Sequence, residues 1–249
     1  MIPRVVVFDL DKTLARSKAP LAPSMAILLS ELLTKTKVAV ISGGKLEQFL
    51  SQIVAQLPLG TDLSSLYLEP TAGAALYKYD GTTYVNVYEE RIPEDEGVRV
   101  IAEAKAGAEE TGLIDFSAPS YGERLEFRGT SVALSSLGQM APVEEKEAWD
   151  PDLSKKTALR DAIAKRLPEY DVKMGGATTI DITKHGVNKA YGVRKLSEHL
   201  SIPVSDMLYI GDALYPGGND EVVKETGIPT QQTSGPEETE HMITTLLTS

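Results

Sequence analysis

The feature that most constrains this sequence is an apolar run at residues 5–8 that ends in two aspartates, Asp9 and Asp11. Such a run predicts a strand that is buried on both faces, as in the centre of a parallel sheet. Two carboxylates spaced i, i+2 at a strand end project to the same side of the backbone. Because unpaired buried carboxylates are costly, the pattern predicts a cation, a proton or both beside them. A turn in which each aspartate bonds only to local amides remains an alternative.

Two further apolar runs also end in polar residues. Residues 38–41 lead into Ser42, and residues 207–210 lead into a glycine-rich segment with three acidic or amide side chains. A periodic apolar segment begins between these runs, near Asn188. In an open parallel sheet the carboxyl ends of the strands line a ligand crevice. We therefore expect these residues to converge there: Asp9, Asp11, Ser42, Lys189, Asp212 and Asp220.

The order of the predicted elements indicates the fold class. Apolar stripes at helical spacing over residues 25–33 and 46–57 follow the first two strands, and strand–helix alternation is the doubly wound α/β pattern. After a turn signal at Asp80 and Gly81 the pattern changes to short strands around one helical stripe. We predict a Rossmann-like parallel sheet core from residues 1–81 and 186–249, with an α+β cap domain inserted at residues 82–185.

Composition excludes several classes of protein. The 249 residues include no cysteine, so disulfides and thiolate metal sites are excluded. The three histidines show no ligand spacing, and no apolar run approaches the length of a membrane span. The net charge of −11 disfavours a nucleic acid partner. We expect a cytoplasmic enzyme with a small-molecule substrate and no membrane or nucleic acid partner.

Four features occur in the order typical of one superfamily: the aspartate pair Asp9 and Asp11, then Ser42, Lys189 and the final Gly211-Asp212 motif. In this respect the chain resembles the haloacid dehalogenase-like phosphotransferases, with a type IIB cap. It is more closely similar to the eukaryotic-type phosphomannomutases within that superfamily. The segments that carry this likeness are Glu126-Phe127-Arg128-Gly129, Gly175-Gly176, Thr179-Ile180-Asp181, Gly186-Val187-Asn188-Lys189 and Pro216-Gly217-Gly218-Asn219-Asp220. Family members usually have Gly at the position of Lys12 and Arg at those of Gln139 and Lys146.

The residue types indicate phosphoryl-transfer chemistry in the core. Asp9 is ionised at neutral pH, so it can attack phosphorus without a base and form an aspartyl-phosphate. Asp9 and Asp212 are oxygen ligands suited to Mg²⁺, and the resemblance implies the Asp11 main-chain carbonyl as a third ligand. Lys189 and Ser42 would stabilise the phosphoryl oxygens. Asp11 would protonate the leaving oxygen and deprotonate the incoming alcohol.

Two residues near the end of the chain are predicted to support this chemistry. Asp220 is expected to orient Lys189 or the metal ligands, with Asn219 beside it, and an Asx turn is the alternative for Asp220.

The predicted cap is expected to select the substrate. Arg128 is the first candidate for contact with a distal phosphate, because a guanidinium binds phosphate through paired hydrogen bonds, and Lys146 is the second. Thr179 and Asp181 are candidates for the sugar hydroxyls. Gln139 lies in the same predicted subsite but cannot neutralise a phosphate.

The sequence therefore predicts a Mg²⁺-dependent, phosphomannomutase-like enzyme that acts on hexose phosphates, with a hexose 1,6-bisphosphate as a candidate activator. A homodimer formed through the cap is a candidate assembly. A sugar-phosphate phosphatase on the same scaffold is the alternative, since water can replace the acceptor sugar. A receiver-like signalling protein is the alternative from another class, although receivers lack a large cap.

Overall fold

The computed structural model describes residues 2–248 of the chain. The strands are β1 (Val5–Asp9), β2 (Lys37–Ile41), β3 (Leu66–Glu69), β4 (Ala75–Tyr79), β5 (Tyr84–Glu89), β6 (Leu125–Phe127), β7 (Ser131–Ser135), β8 (Tyr170–Met174), β9 (Thr179–Lys184), β10 (Met207–Gly211) and β11 (Thr230–Gln232). The α-helices are α1 (Pro23–Leu33), α2 (Leu46–Gln52), α3 (Glu94–Glu110), α4 (Val143–Trp149), α5 (Ser154–Arg166), α6 (Lys189–Leu200) and α7 (Pro236–Leu247). Among these described residues, no helix combines the length and the apolar character needed to cross a lipid bilayer.

The chain divides into two units. The first comprises Met1–Glu89 and Asn188–Ser249, and the second comprises Glu90–Val187. From the sequence we placed the boundaries at residues 81/82 and 185/186. The difference at the first boundary arises because β5 pairs antiparallel with β4 and so extends the sheet of the first unit. The turn at Gly81 is therefore a hairpin within the first unit.

A seven-stranded sheet in the order β11-β10-β1-β2-β3-β4-β5 organises the first unit. The first five strands in this spatial order, from β11 to β3, are parallel. β1 lies between β10 and β2, and all five of its residues are buried. Alternation along β1 sends Val6 and Phe8 to one apolar core and Val5 and Val7 to another. This arrangement confirms the predicted α/β class with a mostly parallel central sheet.

Helices cover both faces of this sheet. The core that contains Phe8 receives apolar side chains from α1, α2 and α7, whereas the core that contains Val7 receives them from α6. The apolar stripe at residues 25–33 forms α1, as predicted. The second stripe was predicted to continue to residue 57, but α2 ends at Gln52, whose carbonyl accepts the Leu21 N–H, and a 3₁₀ turn follows.

The second unit is an antiparallel sheet with helices packed on one side. The strand order is β6-β7-β9-β8. Val132 and Ile180 pack with apolar residues of α3 and α5 in a core of their own. The alternate residues Glu126 and Asp181 both lie opposite Ala133, so they share the other face of the sheet. This polar face carries most of the candidate substrate-binding residues.

A left-handed turn follows β3. Thr71, Ala72 and Gly73 have φ of 50°, 57° and 85°, a conformation that costs energy for residues with a side chain. The N–H groups of Thr71 and Ala72 donate to the carbonyls of Gly44 and Ser42, both at 2.8 Å. The strained turn therefore fixes the loop that carries Ser42.

The same turn touches α6 through two glycines. A Cβ on Gly73 would lie 2.8 Å from the Gly192 Cα, and a Cβ on Gly192 would lie 2.2 Å from Glu69 Oε2. Both distances are too short for real side chains, so α6 can approach the sheet here only with glycine at both positions. This close approach brings the start of α6 down onto the strand ends.

Glu69, the last residue of β3, is fully buried in this contact. Neither of its carboxyl oxygens has a hydrogen-bond partner among the described residues. Burial raises the pKa of Glu69 from 4.5 to about 8. The folded protein therefore holds Glu69 as a neutral acid at pH 7.

This protonation makes stability depend on pH. Below about pH 4.5 the carboxyl is protonated in both the folded and unfolded states. Above it the unfolded chain ionises while the folded chain keeps its proton, so the free energy of unfolding falls until the pH reaches about 8. One unit of pKa corresponds to about 1.4 kcal/mol, so the loss amounts to a few kcal/mol.

We predict that Glu69→Gln, which cannot ionise, removes this pH dependence. The stability of the variant relative to the parent, measured by urea unfolding between about pH 5 and pH 9, should rise with pH. The buried amide adds an offset that does not vary with pH, so the slope is the informative quantity. A difference that stays constant across this range would show that Glu69 ionises normally in the folded state.

Candidate active site

Four charged side chains meet at the carboxyl end of the parallel strands. Asp9 ends β1, Asp212 follows β10, Asp220 lies in the next loop, and Lys189 is the first residue of α6. The Lys189 Nζ donates to Asp9 Oδ1 at 2.6 Å and to Asp220 Oδ1 at 2.5 Å. Asp9, Lys189 and Asp220 are each at most 4% exposed. One ammonium therefore joins two buried carboxylates from distant parts of the chain.

Local sequence places Lys189 at a helix start. Asn188 has extended backbone angles, and its side-chain oxygen accepts hydrogen bonds from the N–H groups of Ala190 at 2.9 Å and Tyr191 at 3.1 Å. An asparagine in this capping position satisfies N–H groups that have no partner within the helix. Because the helix begins at this point, Lys189 projects from its first turn toward the strand ends.

Asp220 is held from three directions. The Tyr209 hydroxyl donates to its Oδ1 at 2.6 Å, and the Ala213 N–H donates to its Oδ2 at 3.1 Å. A Cβ on Gly211 would lie 2.4 Å from Oδ2, so glycine is required for the carboxylate to come this close. With Lys189 as its third partner, Asp220 fixes the position of the ammonium group.

Thr13 links the two strand ends that carry Asp9 and Asp212. Its buried hydroxyl donates to Asp9 Oδ2 at 3.4 Å and accepts from the Asp212 N–H at 3.1 Å. The first of these bonds is long, and the second is of ordinary length. Thr13 therefore positions the Asp212 backbone relative to the Asp9 carboxylate.

The charges at this site do not balance. Carboxylate oxygens of Asp9, Asp212 and Asp220 lie within 4.8 Å of one another, and Lys189 is the ammonium that bonds to two of them. Burial raises the pKa of Asp9 to about 8, against the lowering effect of Lys189. Burial and then Asp220 raise the pKa of Asp212. If all three aspartates ionise, the group has an excess of negative charge, which a divalent cation would offset.

Lys189 and Asp220 respond to burial in a different way. Burial alone would lower the pKa of Lys189, but Asp220 and Asp9 raise it above its usual range. Burial alone would raise the pKa of Asp220, but Lys189 lowers it. These two residues therefore form a charged pair, and the remaining carboxylates, Asp9 and Asp212, have the oxygen donors that suit a hard cation such as Mg²⁺.

The other candidates in the first unit follow strands β1, β2 and β10 of the same sheet. Asp11 is partly buried, and its Oδ1 accepts the Lys18 N–H at 2.6 Å. Ser42 is 4% exposed, and its backbone bonds to the Glu69 carbonyl and the Ala72 N–H. Asn219 is exposed, although the next residue, Asp220, is completely buried. The acidic triad at the strand ends thus includes Asp220 but not the carboxylate of Asp11.

The candidates in the second unit lie on and beside its polar face. Arg128 Nε donates to Glu126 Oε2 at 2.9 Å, and its Nη1 lies 3.7 Å from Asp181 Oδ1. Lys146, on α4, donates from Nζ to the Gln139 carbonyl at 3.0 Å. The Gln139 Nε2 is inaccessible and has no partner among the described residues.

Thr179, the fifth substrate candidate, also belongs to this unit. It begins β9 directly opposite Ser135 of β7. The five candidates therefore comprise the Arg128–Asp181 pair, the Lys146–Gln139 pair and Thr179 at the start of β9.

Sequence reasoning gave no role to Thr13 or Tyr209. Thr13 lies two residues after Asp11, but its bond to the Asp212 N–H depends on a residue 199 positions away. Tyr209 does carry a sequence signal: a tyrosine within a buried apolar strand usually needs a hydrogen-bond partner for its hydroxyl. Tyr209 packs on the same face of the sheet as Val5 and Val7. Because alternate residues of a strand share a face, Asp9 belongs to that face as well.

A parallel sheet whose strand ends carry this aspartate and lysine arrangement is that of a haloacid dehalogenase-like phosphotransferase. The sequence profile of the eukaryotic phosphomannomutase family matches residues 25–249. The chain therefore belongs to the eukaryotic phosphomannomutase family, and it is an enzyme.

Individual relatives agree with this assignment. A probable phosphomannomutase of Caenorhabditis elegans is 25% identical over 261 residues, covering 98% of this chain and 95% of that protein. A phosphomannomutase of Encephalitozoon cuniculi is 26% identical over 226 residues, covering 87% of this chain and 82% of that protein. The structure of an N-terminally truncated, IMP-bound IMP-nucleotidase of Plasmodium falciparum superposes with a TM-score of 0.69 at 17% identity, covering 99% of this chain and 68% of that one. The last likeness concerns the fold alone.

Proposed function

We propose that this enzyme is a Mg²⁺-dependent phosphomannomutase that interconverts mannose 1-phosphate and mannose 6-phosphate through an aspartyl-phosphate. The observation that carries the proposal is the buried contact of Lys189 with Asp9 and Asp220, beside a third carboxylate on Asp212. Membership of the family supports the choice of reaction. The match over residues 25–249 also favours an enzyme over a receiver-like signalling protein.

Asp9 is the proposed nucleophile. Its carboxylate attacks the phosphorus of the substrate, the P–O bond to the sugar breaks, and the sugar oxygen takes a proton. The phosphoryl group then passes from Asp9 to the free hydroxyl of a hexose monophosphate, which forms a hexose 1,6-bisphosphate. After this intermediate turns around, its other phosphoryl group is transferred to Asp9 and the isomeric monophosphate leaves. Asp11 is the proposed donor and acceptor of the two protons, and its partly buried carboxylate is consistent with access to the substrate.

Asp9 and Asp212 are the proposed side-chain ligands of Mg²⁺, with the Asp11 main-chain carbonyl as the ligand that family resemblance implies. A bound divalent cation favours the ionised form of Asp9 and reduces its repulsion of the phosphoryl oxygens. Lys189 supplies a fixed positive charge for those oxygens, held in place by Asp220, and Ser42 supplies a hydroxyl donor. Asn219 is proposed only to support the loop that leads to Asp220.

The second unit is proposed to bind the distal phosphate and the sugar. Arg128 is already engaged by Glu126 and by Asp181, so its charge is shared with two carboxylates. Lys146 and Gln139 stand where family members usually have arginine. Weaker binding of the distal phosphate favours the alternative function, a sugar-phosphate phosphatase. If the sugar leaves before it accepts the phosphoryl group, water takes its place and hydrolyses the aspartyl-phosphate.

We predict that Asp9→Asn abolishes catalysis. The amide keeps the shape of the side chain but is not a nucleophile, so turnover should fall by about a thousandfold or more. Incubation with ³²P-labelled substrate, followed by acid quenching, should label the parent protein but not the variant. Asp62→Asn, at an exposed aspartate of the same unit, is the control and should retain full activity. Turnover of Asp9→Asn close to that of the parent would exclude covalent catalysis by this residue.

Metal dependence is the second prediction from this site. EDTA should abolish activity, and added Mg²⁺ should restore it. Calorimetric titration of Mg²⁺ into metal-free protein gives a readout that is independent of turnover. Asp212→Asn removes one charged ligand, so the Mg²⁺ affinity should fall by about tenfold or more, whereas Asp62→Asn should not change it. Undiminished turnover in rigorously metal-free buffer would refute the prediction.

The ratio of products separates a mutase from a phosphatase. Mannose 1-phosphate or glucose 1-phosphate, supplied with a catalytic amount of hexose 1,6-bisphosphate, should yield the 6-phosphate together with measurable inorganic phosphate, both detectable by ³¹P NMR. A charge-assisted contact is worth about 1.5–3 kcal/mol, so Gln139→Arg should tighten the distal grip by roughly ten- to a hundredfold and reduce the share of inorganic phosphate. If every hexose phosphate gives only free sugar and inorganic phosphate, the enzyme is a phosphatase.

A further inference from the structure

Tyr88, near the end of β5, bonds to the left-handed turn that follows β3. Its side chain is partly buried, and its hydroxyl donates to the Gly73 carbonyl at 2.8 Å. Tyr88 lies opposite Leu76 of β4, so its side chain reaches beyond the start of β4 to contact the turn. A side chain from the edge strand of the sheet therefore supports the segment that holds the Ser42 loop.

The turn needs such support because its backbone is strained. Thr71 and Ala72 have positive φ, which is uncommon for any residue with a side chain and rarer still for a β-branched residue such as Thr71. A conformation of this kind persists only where the surrounding contacts over-determine it. The bond from Tyr88 to Gly73, the last residue of the turn, is one of those contacts.

Main-chain bonds carry the position of the turn to Ser42. The Ser42 carbonyl accepts the Ala72 N–H at 2.8 Å, and the Gly44 carbonyl accepts the Thr71 N–H at 2.8 Å. The Ser42 N–H donates to the carbonyl of Glu69, which ends β3 just before the turn, at 3.2 Å. Because Ser42 is bonded on both sides to this segment, a shift of the turn displaces Ser42 as well.

A second contact orients the Tyr88 ring. The ring packs edge to face against that of Tyr191, with centroids 6.1 Å apart and ring planes at 81°. Such aromatic pairs are favourable beyond the area that they bury. Tyr191 belongs to the first turn of α6, where its N–H donates to the capping oxygen of Asn188 at 3.1 Å. The helix that begins with Lys189 therefore helps to set the position of the Tyr88 hydroxyl.

We propose that Tyr88 is a positioning residue for the Ser42 hydroxyl. The inference rests on the proposed function, in which that hydroxyl donates to the phosphoryl oxygens. Tyr88 acts through the Gly73 carbonyl and the main-chain bonds of the turn. A donor aimed at charge that develops in the transition state must be held within about 0.5 Å, so loss of the Tyr88 bond slows the chemical step and leaves substrate binding little changed.

Tyr88→Phe tests the proposal, because it keeps the ring and removes the hydroxyl. From the usual worth of a neutral hydrogen bond, kcat with mannose 1-phosphate and a catalytic amount of hexose 1,6-bisphosphate should fall by about three- to tenfold, while KM stays within about twofold. Tyr79→Phe is the matched control. The Tyr79 hydroxyl also donates to a glycine carbonyl, that of Gly81 at 3.0 Å, but at the opposite end of the same hairpin. Its kcat and KM should equal those of the parent.

A double-mutant cycle with Ser42→Ala separates positioning from a general loss of structure. If Tyr88 acts through the Ser42 hydroxyl, adding Tyr88→Phe to Ser42→Ala should lower kcat no further, since the group that Tyr88 positions is absent. A substitution that loosened the whole unit would lower kcat by the same factor with or without Ser42→Ala. Equal factors would therefore contradict the role of Tyr88.

Amide hydrogen exchange, measured by NMR, gives a readout that is independent of turnover. The N–H groups of Thr71 and Ala72 make the bonds of the turn, so their exchange should be about three- to tenfold faster in Tyr88→Phe than in the parent. Exchange in Tyr79→Phe should match the parent. Unchanged exchange at both amides of Tyr88→Phe would show that the turn does not depend on Tyr88.

The outcomes separate this proposal from the proposed function. If the parent interconverts hexose phosphates and Tyr88→Phe does so with the same kcat, the role of Tyr88 is refuted and the proposed function stands. If the parent turns over no hexose phosphate, the proposed function is refuted, and the positioning of Ser42 for phosphoryl transfer is refuted with it.

Discussion

Lys189 lies between the carboxylates of Asp9 and Asp220 with almost no exposure to solvent. Removing one partner from a buried ion pair is strongly destabilising, because it leaves a charge without compensation. The surrounding structure therefore has to keep all three groups in register. Asn188 starts the helix at Lys189, Gly192 lets that helix approach the sheet, and Tyr209 with Gly211 seats Asp220.

The two units present opposite electrostatic problems. The first gathers carboxylates at its strand ends, and under the proposed function a cation would offset their charge before an anionic substrate approaches. Under the proposed function, the second must attract phosphate although the chain carries a net charge of −11. A protein of this charge needs locally basic groups for such a task. Burial strengthens their effect, because the surrounding medium screens charge less than water does.

Sequence patterns predicted the centre of the fold because its signals are local. The β-branched run of β1, the apolar runs of β2 and β10, and the helix start after Asn188 each depend on neighbouring residues. The prediction was less accurate where long-range contacts decide. The end of α2 depends on Leu21, and the placement of β5 in the first unit depends on pairing with β4.

The same difference between local signals and long-range contacts applies to the candidate site. Asp9 and Asp212 were expected at the site because each follows an apolar run, and Lys189 because it begins a periodic segment. The structure brings these three together with Asp220, which was expected to converge with them. The bonds of Thr13 and Tyr209 could not be assigned from the sequence, since Thr13 bonds across two strand ends and the partner of Tyr209 depends on how the loop after β10 folds back.

The contact between Lys189 and Asp9 joins residues 180 positions apart. During synthesis on the ribosome, β1 and β2 emerge early, but the lysine that neutralises Asp9 emerges only after most of the chain. At a synthesis rate of about 5–20 residues per second, Lys189 is made roughly ten to forty seconds after Asp9. Over that interval the central strand has no β10 beside it, and its apolar side chains are available to other chains. Cellular yield of this enzyme should therefore depend on how well the nascent amino-terminal strands are shielded, a property that equilibrium stability of the finished protein does not measure.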